Sequence, residues 1–164
     1  MNLKKSATIV QLLVLCGGMI FAWFTVIREL INFYTTEGTI FKIADSVYRN
    51  PVVTPCFYGA VGFIVIIVWA FFIWREFDES KQIIHRKWHT LLLLGGTLFA
   101  WSVVTWEWWQ IKQAAGAPVV GCSGLMDSIF DSTCLYGALF YTLSLGIGFY
   151  LYKDAKKSNK IHST

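Results

Sequence analysis

The sequence predicts an all-α membrane protein, a four-transmembrane-helix bundle built from a tandem duplicated helical hairpin. Three observations predict it. Of the 164 residues, 55% are hydrophobic, 17% aromatic and only 15% charged, a balance unusual for a soluble domain of that length. The apolar residues gather in four blocks of about 20 residues, the length a helix needs to cross ~30 Å of hydrocarbon. Finally, the chain matches itself when shifted by 78 residues, so that Cys56 falls on Cys134.

The first block runs from Ala7 to Ile27 and stops at Arg28-Glu29. Its basic start and Cys16 resemble a secretion signal. Leu15 stands where a small residue should precede the cysteine, however, and the apolar run continues through Ile27, so an uncleaved helix is expected. The second block, Cys56 to Trp74, carries no charge. The third, His89 to Thr105, runs on into Trp106-Glu107-Trp108-Trp109, and the fourth, Cys134 to Tyr152, is again uncharged. Lipid offers the backbone no hydrogen bonds, so each block must satisfy its own as a helix. None alternates polar and apolar residues as a barrel strand would. The expected organisation is a first hairpin over 1–78, a cytoplasmic linker over 79–88, a second hairpin over 89–153 and a basic tail over 154–164.

Charge sets the expected orientation. Lys4, Lys5, Arg75, Lys81, Arg86, Lys87, Lys153, Lys156, Lys157 and Lys160 fall on one side; Arg28, Lys42, Arg49 and Lys112 fall on the other. Both termini are therefore expected in the cytoplasm of a cell whose inner (plasma) membrane the chain crosses four times. The net charge of +4 reads as this orientation signal, with a weak pull toward anionic headgroups. No basic patch interleaved with aromatics points to nucleic acid. The partners expected are the lipid bilayer and a second copy or another membrane subunit.

The repeat places Gly17-Gly18 on Gly95-Gly96, Phe21-Ala22-Trp23 on Phe99-Ala100-Trp101, Glu29 on Glu107 and Tyr58-Gly59-Ala60 on Tyr136-Gly137-Ala138, without a gap. Parallel repeats of this kind are related by an axis along the membrane normal. Gly18 with Ala22, and Gly96 with Ala100, are small-x-x-x-small pairs that let helices approach closely. Gly59 and Gly137 are expected to admit a neighbouring backbone. Most other tryptophans and tyrosines fall at helix ends, where amphipathic rings suit the interface; Trp23 and Trp101 lie one turn inside it.

Three cysteines fall on the outer side: Cys56 and Cys134 at helix starts, Cys122 in the second outer loop. Cys16 matches Leu94 across the repeat and reads as a small hydrophobe. Two pairings are open. Cys122 and Cys134 are 12 residues apart in one loop, cheap to close, and this is the favoured bridge. Cys56 and Cys134 would meet if both helix starts lie near the axis. A thiol in the first turn of a helix sits at the positive end of its dipole, which stabilises a thiolate. Glu29 and Glu107, matched near the outer ends of helices one and three, could hold a cation or cationic solute beside Trp23 and Trp101, or be simply solvated. His85 and His89, four residues apart, lack a third ligand, so no metal site is expected.

Four helices with inner termini, a cysteine opening helix two and cysteines in the second outer loop resemble the plan of DsbB-type and vitamin K epoxide reductase-type disulfide-generating enzymes. That resemblance implies thiol–disulfide exchange, with Cys56 attacking a Cys122–Cys134 bridge and electrons passing to a membrane quinone, the one cofactor it implies. Those families carry a Cys-x-x-Cys pair; here Phe57, Tyr58 and Gly59 follow Cys56. The stretch "TPCFYGA" with the later "CSG" is also similar to small bacterial four-helix membrane proteins, which implies no activity. The expected role is structural or accessory, with a stabilising outer disulfide worth ~2–4 kcal/mol. Thiol oxidoreduction and small-solute or cation transport at the repeat interface are the alternatives.

Overall fold

The computed structural model describes residues 3–37, 50–76, 79–114, 116–117, 119–121 and 124–162. Among them are four long helices: α1 (Leu3–Glu37), α2 (Pro55–Arg75), α3 (Glu79–Gln113) and α4 (Thr133–His162). Each is long and apolar enough to cross a membrane, and together they form a multi-pass bundle. α1 and α3 each have 35 residues, about 50 Å at 1.5 Å per residue, and so overshoot the hydrocarbon.

Local chemistry sets the ends. Thr54 is extended and Pro55 takes the first helical position of α2, where its missing N–H costs nothing and its fixed φ suits the helix. α2 stops at Arg75, and the Glu76 N–H returns to the Phe72 and Ile73 carbonyls at 3.1 and 3.3 Å. After α3, Gly116 adopts φ 95°, a left-handed turn residue that only glycine takes freely. Short 3-10 turns, Pro51–Val53 and Ile129–Asp131, lead into α2 and α4. Asn50 caps the first by accepting from the Val52 N–H at 3.0 Å. Ser128 caps the second by accepting from Phe130 N–H at 3.3 Å.

Around the bundle, α1 packs on α2 and α4, and α3 packs on the same two helices. α2 and α4 lie across the diagonal and still touch. Large apolar side chains such as Phe24, Phe72, Leu98 and Leu143 point outward, each more than half exposed. That is inverted for a soluble bundle and normal for one solvated by lipid. Inside, Leu15, Phe63, Ile66, Leu93, Val104 and Tyr141 form the core.

Its central layer is built from two glycine notches. A Cβ on Gly18 would stand 2.8 Å from the Phe63 ring, and one on Gly96 would stand 2.5 Å from the Tyr141 ring. Phe63 and Tyr141 stack on each other with centroids 4.2 Å apart and planes 22° apart. The small-residue positions thus admit aromatic rings rather than neighbouring backbones. Ala100 is buried and Ala22 packs against the same core.

Three features depart from the expectations. Residues 79–88, read as a linker, are the first turns of α3, and α4 carries the tail on to His162. A small antiparallel hairpin, β1 (Val119–Gly121) with β2 (Gly124–Met126), pairs Val119 with Met126 and Gly121 with Gly124. Strands of three residues leave no periodicity to read. Finally, nothing described lies within 4 Å of a Cβ placed on Gly59 or Gly137, so no backbone closes on either.

Candidate functional site

The site lies where α2 and α4 begin. The two 3-10 turns bring both helix starts to one end of the bundle, and the diagonal contact brings them together. Cys56 and Cys134 are each the second residue of their helix. Their sulfurs stand 3.1 Å apart, and Cys56 Sγ lies 3.3 Å from Thr133 Oγ1. Both cysteines are half-buried. A disulfide has S–S near ~2.05 Å, so about 1 Å of approach separates this arrangement from a covalent bridge. Each sulfur sits in a first helical turn, where the dipole favours negative charge.

Below the sulfurs is an apolar cleft of about 40 Å³. Its walls include Phe21 and Phe99, Ala22 and Ala100, Gly59 and Gly137, Phe63 and Tyr141, each pair separated by 78 positions in the chain. The open space beside Gly59 and Gly137 is part of this cleft: they widen it instead of packing a helix. Tyr141 donates its hydroxyl to the Gly59 carbonyl at 2.9 Å, which supports the cleft floor.

The carboxylates are unequal. Glu107 is 3% exposed, where simple solvation was one expectation. Ser132, fully buried just before α4, donates its hydroxyl to Glu107 Oε2. Gly121 of β1 packs over the carboxylate: a Cβ there would lie 3.1 Å from Glu107 Oε1. The hairpin and the turn before α4 thus enclose Glu107. Glu29 is only partly buried, yet its Oε1 is shut from solvent without a hydrogen-bond partner among the described residues. It lies within electrostatic reach of Cys56, Arg28 and Glu107.

The other candidate residues separate. Trp23 meets Phe57 edge-on at 6.1 Å, whereas Trp101 donates its Nε1–H to Thr142 Oγ1 at 3.0 Å. Neither is among the cleft's lining residues. His85 lies edge-on to Trp69 at 6.2 Å. His89 is 3% exposed and its ring hydrogen-bonds the Ile66 backbone. Cys122 lies outside the described residues, so the favoured Cys122–Cys134 bridge does too; Cys134 stands instead against Cys56.

No known family model matches the chain, and no curated protein or solved structure is similar to it. The chemistry is therefore read from the site's own groups. Sequence spacing singled out both cysteines and both carboxylates. It missed Ser132 and Thr133, ordinary hydroxyl residues at a helix start, whose one available signal was their adjacency to Cys134.

Proposed function

We propose that this chain is a thiol–disulfide redox protein of the inner membrane, with Cys56 and Cys134 as its reacting pair. The observation that carries the reading is the 3.1 Å between two sulfurs that belong to different hairpins and to the first turns of two helices. Two thiols become one disulfide and release two electrons and two protons. A lipid-soluble acceptor of the quinone class takes both and leaves as the quinol. Glu29, with an unpartnered oxygen near Cys56, accepts the first thiol proton. The cleft beside the sulfurs, with aromatic walls and almost no polar lining, suits the approach of a flat apolar ring. At about 40 Å³ the cleft is smaller than such a ring, so Phe21 and Phe99 must part to admit it.

The same reading takes the chain as a duplicated hairpin whose axis passes between the two cysteines. Its support is the 78-residue spacing shared by the cysteines, the cleft walls, the stacked rings and the 3-10 turns. The excess of Lys and Arg flanking the opposite end favours cytoplasmic termini and a cysteine end in the more oxidising compartment.

The test is oxidation of the reduced, purified chain by a short-tailed quinone, followed by quinol absorbance and thiol count together. The wild type should yield one quinol for every two thiols lost. Cys56→Ser and Cys134→Ser should each abolish this stoichiometry. Gly59→Leu should leave both thiols in place and slow quinone reduction at least roughly tenfold, about 1.4 kcal/mol in the barrier. Thiols that form a disulfide with air while no quinone is consumed would reduce the pair to a structural staple.

A further inference from the structure

At the opposite end of the bundle a second feature is independent of the cysteines. Along α3, Lys87, Leu91 and Leu94 are spaced by four and three residues. Along α4, Leu145, Phe149 and Tyr152 repeat that spacing. Such spacings put each set on one helix face. The two faces border a groove of about 590 Å³, within the ~300–1,000 Å³ range of ligand sites. Gly146 opens it, since a Cβ there would meet nothing described within 4 Å.

The groove has a polarity. Its walls are apolar apart from two threonines, Thr90 and Thr142, and the charged and phenolic groups of Lys87 and Tyr152 line one end. The Thr90 hydroxyl is engaged by the Arg86 and Gly148 carbonyls. Lys153 adds a second cation there, its Nζ 4.7 Å from the centroid of the Phe149 ring. At the deep end Thr142 lines the groove and accepts the Trp101 Nε1–H, a bond that ties α3 to α4. From Thr142 to Tyr152 the α4 wall rises about 15 Å, the depth of one ~15 Å hydrocarbon leaflet. Basic at the membrane surface, apolar for one leaflet and tied across at the far end, the groove has the dimensions of a single acyl chain under an anionic head.

We infer that the α3–α4 groove is a specific site for one anionic phospholipid, with an acyl chain along Leu91, Leu94, Leu145 and Phe149 and its phosphate between Lys87 and Lys153. Tyr152 is placed to donate its hydroxyl to the same headgroup. This differs from general solvation by lipid in two ways: it prefers one head charge, and it can be filled by a side chain.

The full chain, purified in mild detergent, is titrated with phosphatidylglycerol or phosphatidylcholine, and bound lipid is counted by native mass spectrometry. One phosphatidylglycerol should be retained at about tenfold lower concentration than phosphatidylcholine. Lys87→Gln with Lys153→Gln should erase the preference while leaving chain binding. Gly146→Phe should reduce retention of both lipids by roughly tenfold. Equal retention of the two lipids by the wild type would overturn the proposal, as would undiminished retention by a folded Gly146→Phe variant. Should that variant fail to fold, the two exposed lysines decide alone: a preference that survives their loss refutes the headgroup site. Displacement of phosphatidylglycerol by inorganic phosphate at equal concentration would refute the role of the acyl chain.

Discussion

The two halves of the molecule put residues 78 positions apart to unequal use. Gly18 and Gly96 both receive an aromatic ring, but the ring is Phe63 in the first half and Tyr141 in the second, whose hydroxyl reaches back to Gly59. Glu107 is enclosed by Ser132 and the β1–β2 hairpin, while Glu29 keeps an unpartnered oxygen. The exposed Trp101 ties α3 to α4, whereas the Trp23 Nε1–H, shut from solvent, finds no partner among the described residues. The difference teaches that the central layer, to which both halves contribute one ring and one glycine, keeps the same packing even where Phe63 faces Tyr141. Outside that layer the halves differ: the second encloses its carboxylate, while the first leaves an oxygen of Glu29 without a hydrogen-bond partner among the described residues.

The sharpest way to break this comparison is at the glycines. Gly96→Ala should destabilise by about 1–3 kcal/mol, since the Tyr141 ring occupies the space and overpacking forces it to shift. Gly18→Ala should do the same through Phe63. Gly59→Ala and Gly137→Ala, with open space beside them, should fall within ~0.5 kcal/mol of wild type. Reversible unfolding in mixed detergent measures all four, and equal effects at the four positions would erase the distinction between notch and cleft.

Next come the carboxylates. Glu107→Ala strands the buried Ser132 hydroxyl and should cost about 1–3 kcal/mol. Ser132→Ala together with Glu107→Gln should recover part of that loss if their hydrogen bond is its source. Tyr141→Phe restores the residue type of the first half and should cost about 1 kcal/mol, one neutral hydrogen bond, with the stack on Phe63 intact. Glu29→Gln should change stability least, within ~0.5 kcal/mol. Its effect should appear instead in the pH dependence of Cys56 alkylation, which should shift because the carboxylate within electrostatic reach of the thiol has gone. A Glu29→Gln variant as destabilised as Glu107→Ala would show that the halves do not differ in this way.

Much of this was legible in the sequence because lipid is a severe solvent. Uncharged runs of about 20 residues have few alternatives to a spanning helix, and the four spans follow. The repeat spacing likewise pointed to Cys56 with Cys134 and Glu29 with Glu107 before any contact was known. The choice between cysteine pairings was not legible. Loop length favours Cys122–Cys134, but proximity is set by how closely α2 and α4 cross the diagonal, a tertiary property fixed by rings in glycine notches. The enclosure of Glu107 was hidden for a similar reason: it depends on a three-residue strand and a serine that carry no periodic signal. Gly59 and Gly137 look like packing glycines in sequence, and only the position of the cleft gives them another use.

The central claim is that Cys56 and Cys134 form one redox pair joining the two hairpins. Mild oxidation of the full chain, blocking of remaining thiols, digestion and mass spectrometry of the linked peptides test it directly. The account predicts a Cys56–Cys134 linked peptide that disappears on reduction and returns on reoxidation without unfolding. A bridge between Cys122 and either partner as the sole oxidised product, or thiols at 56 and 134 that stay separate under oxidation, would contradict it.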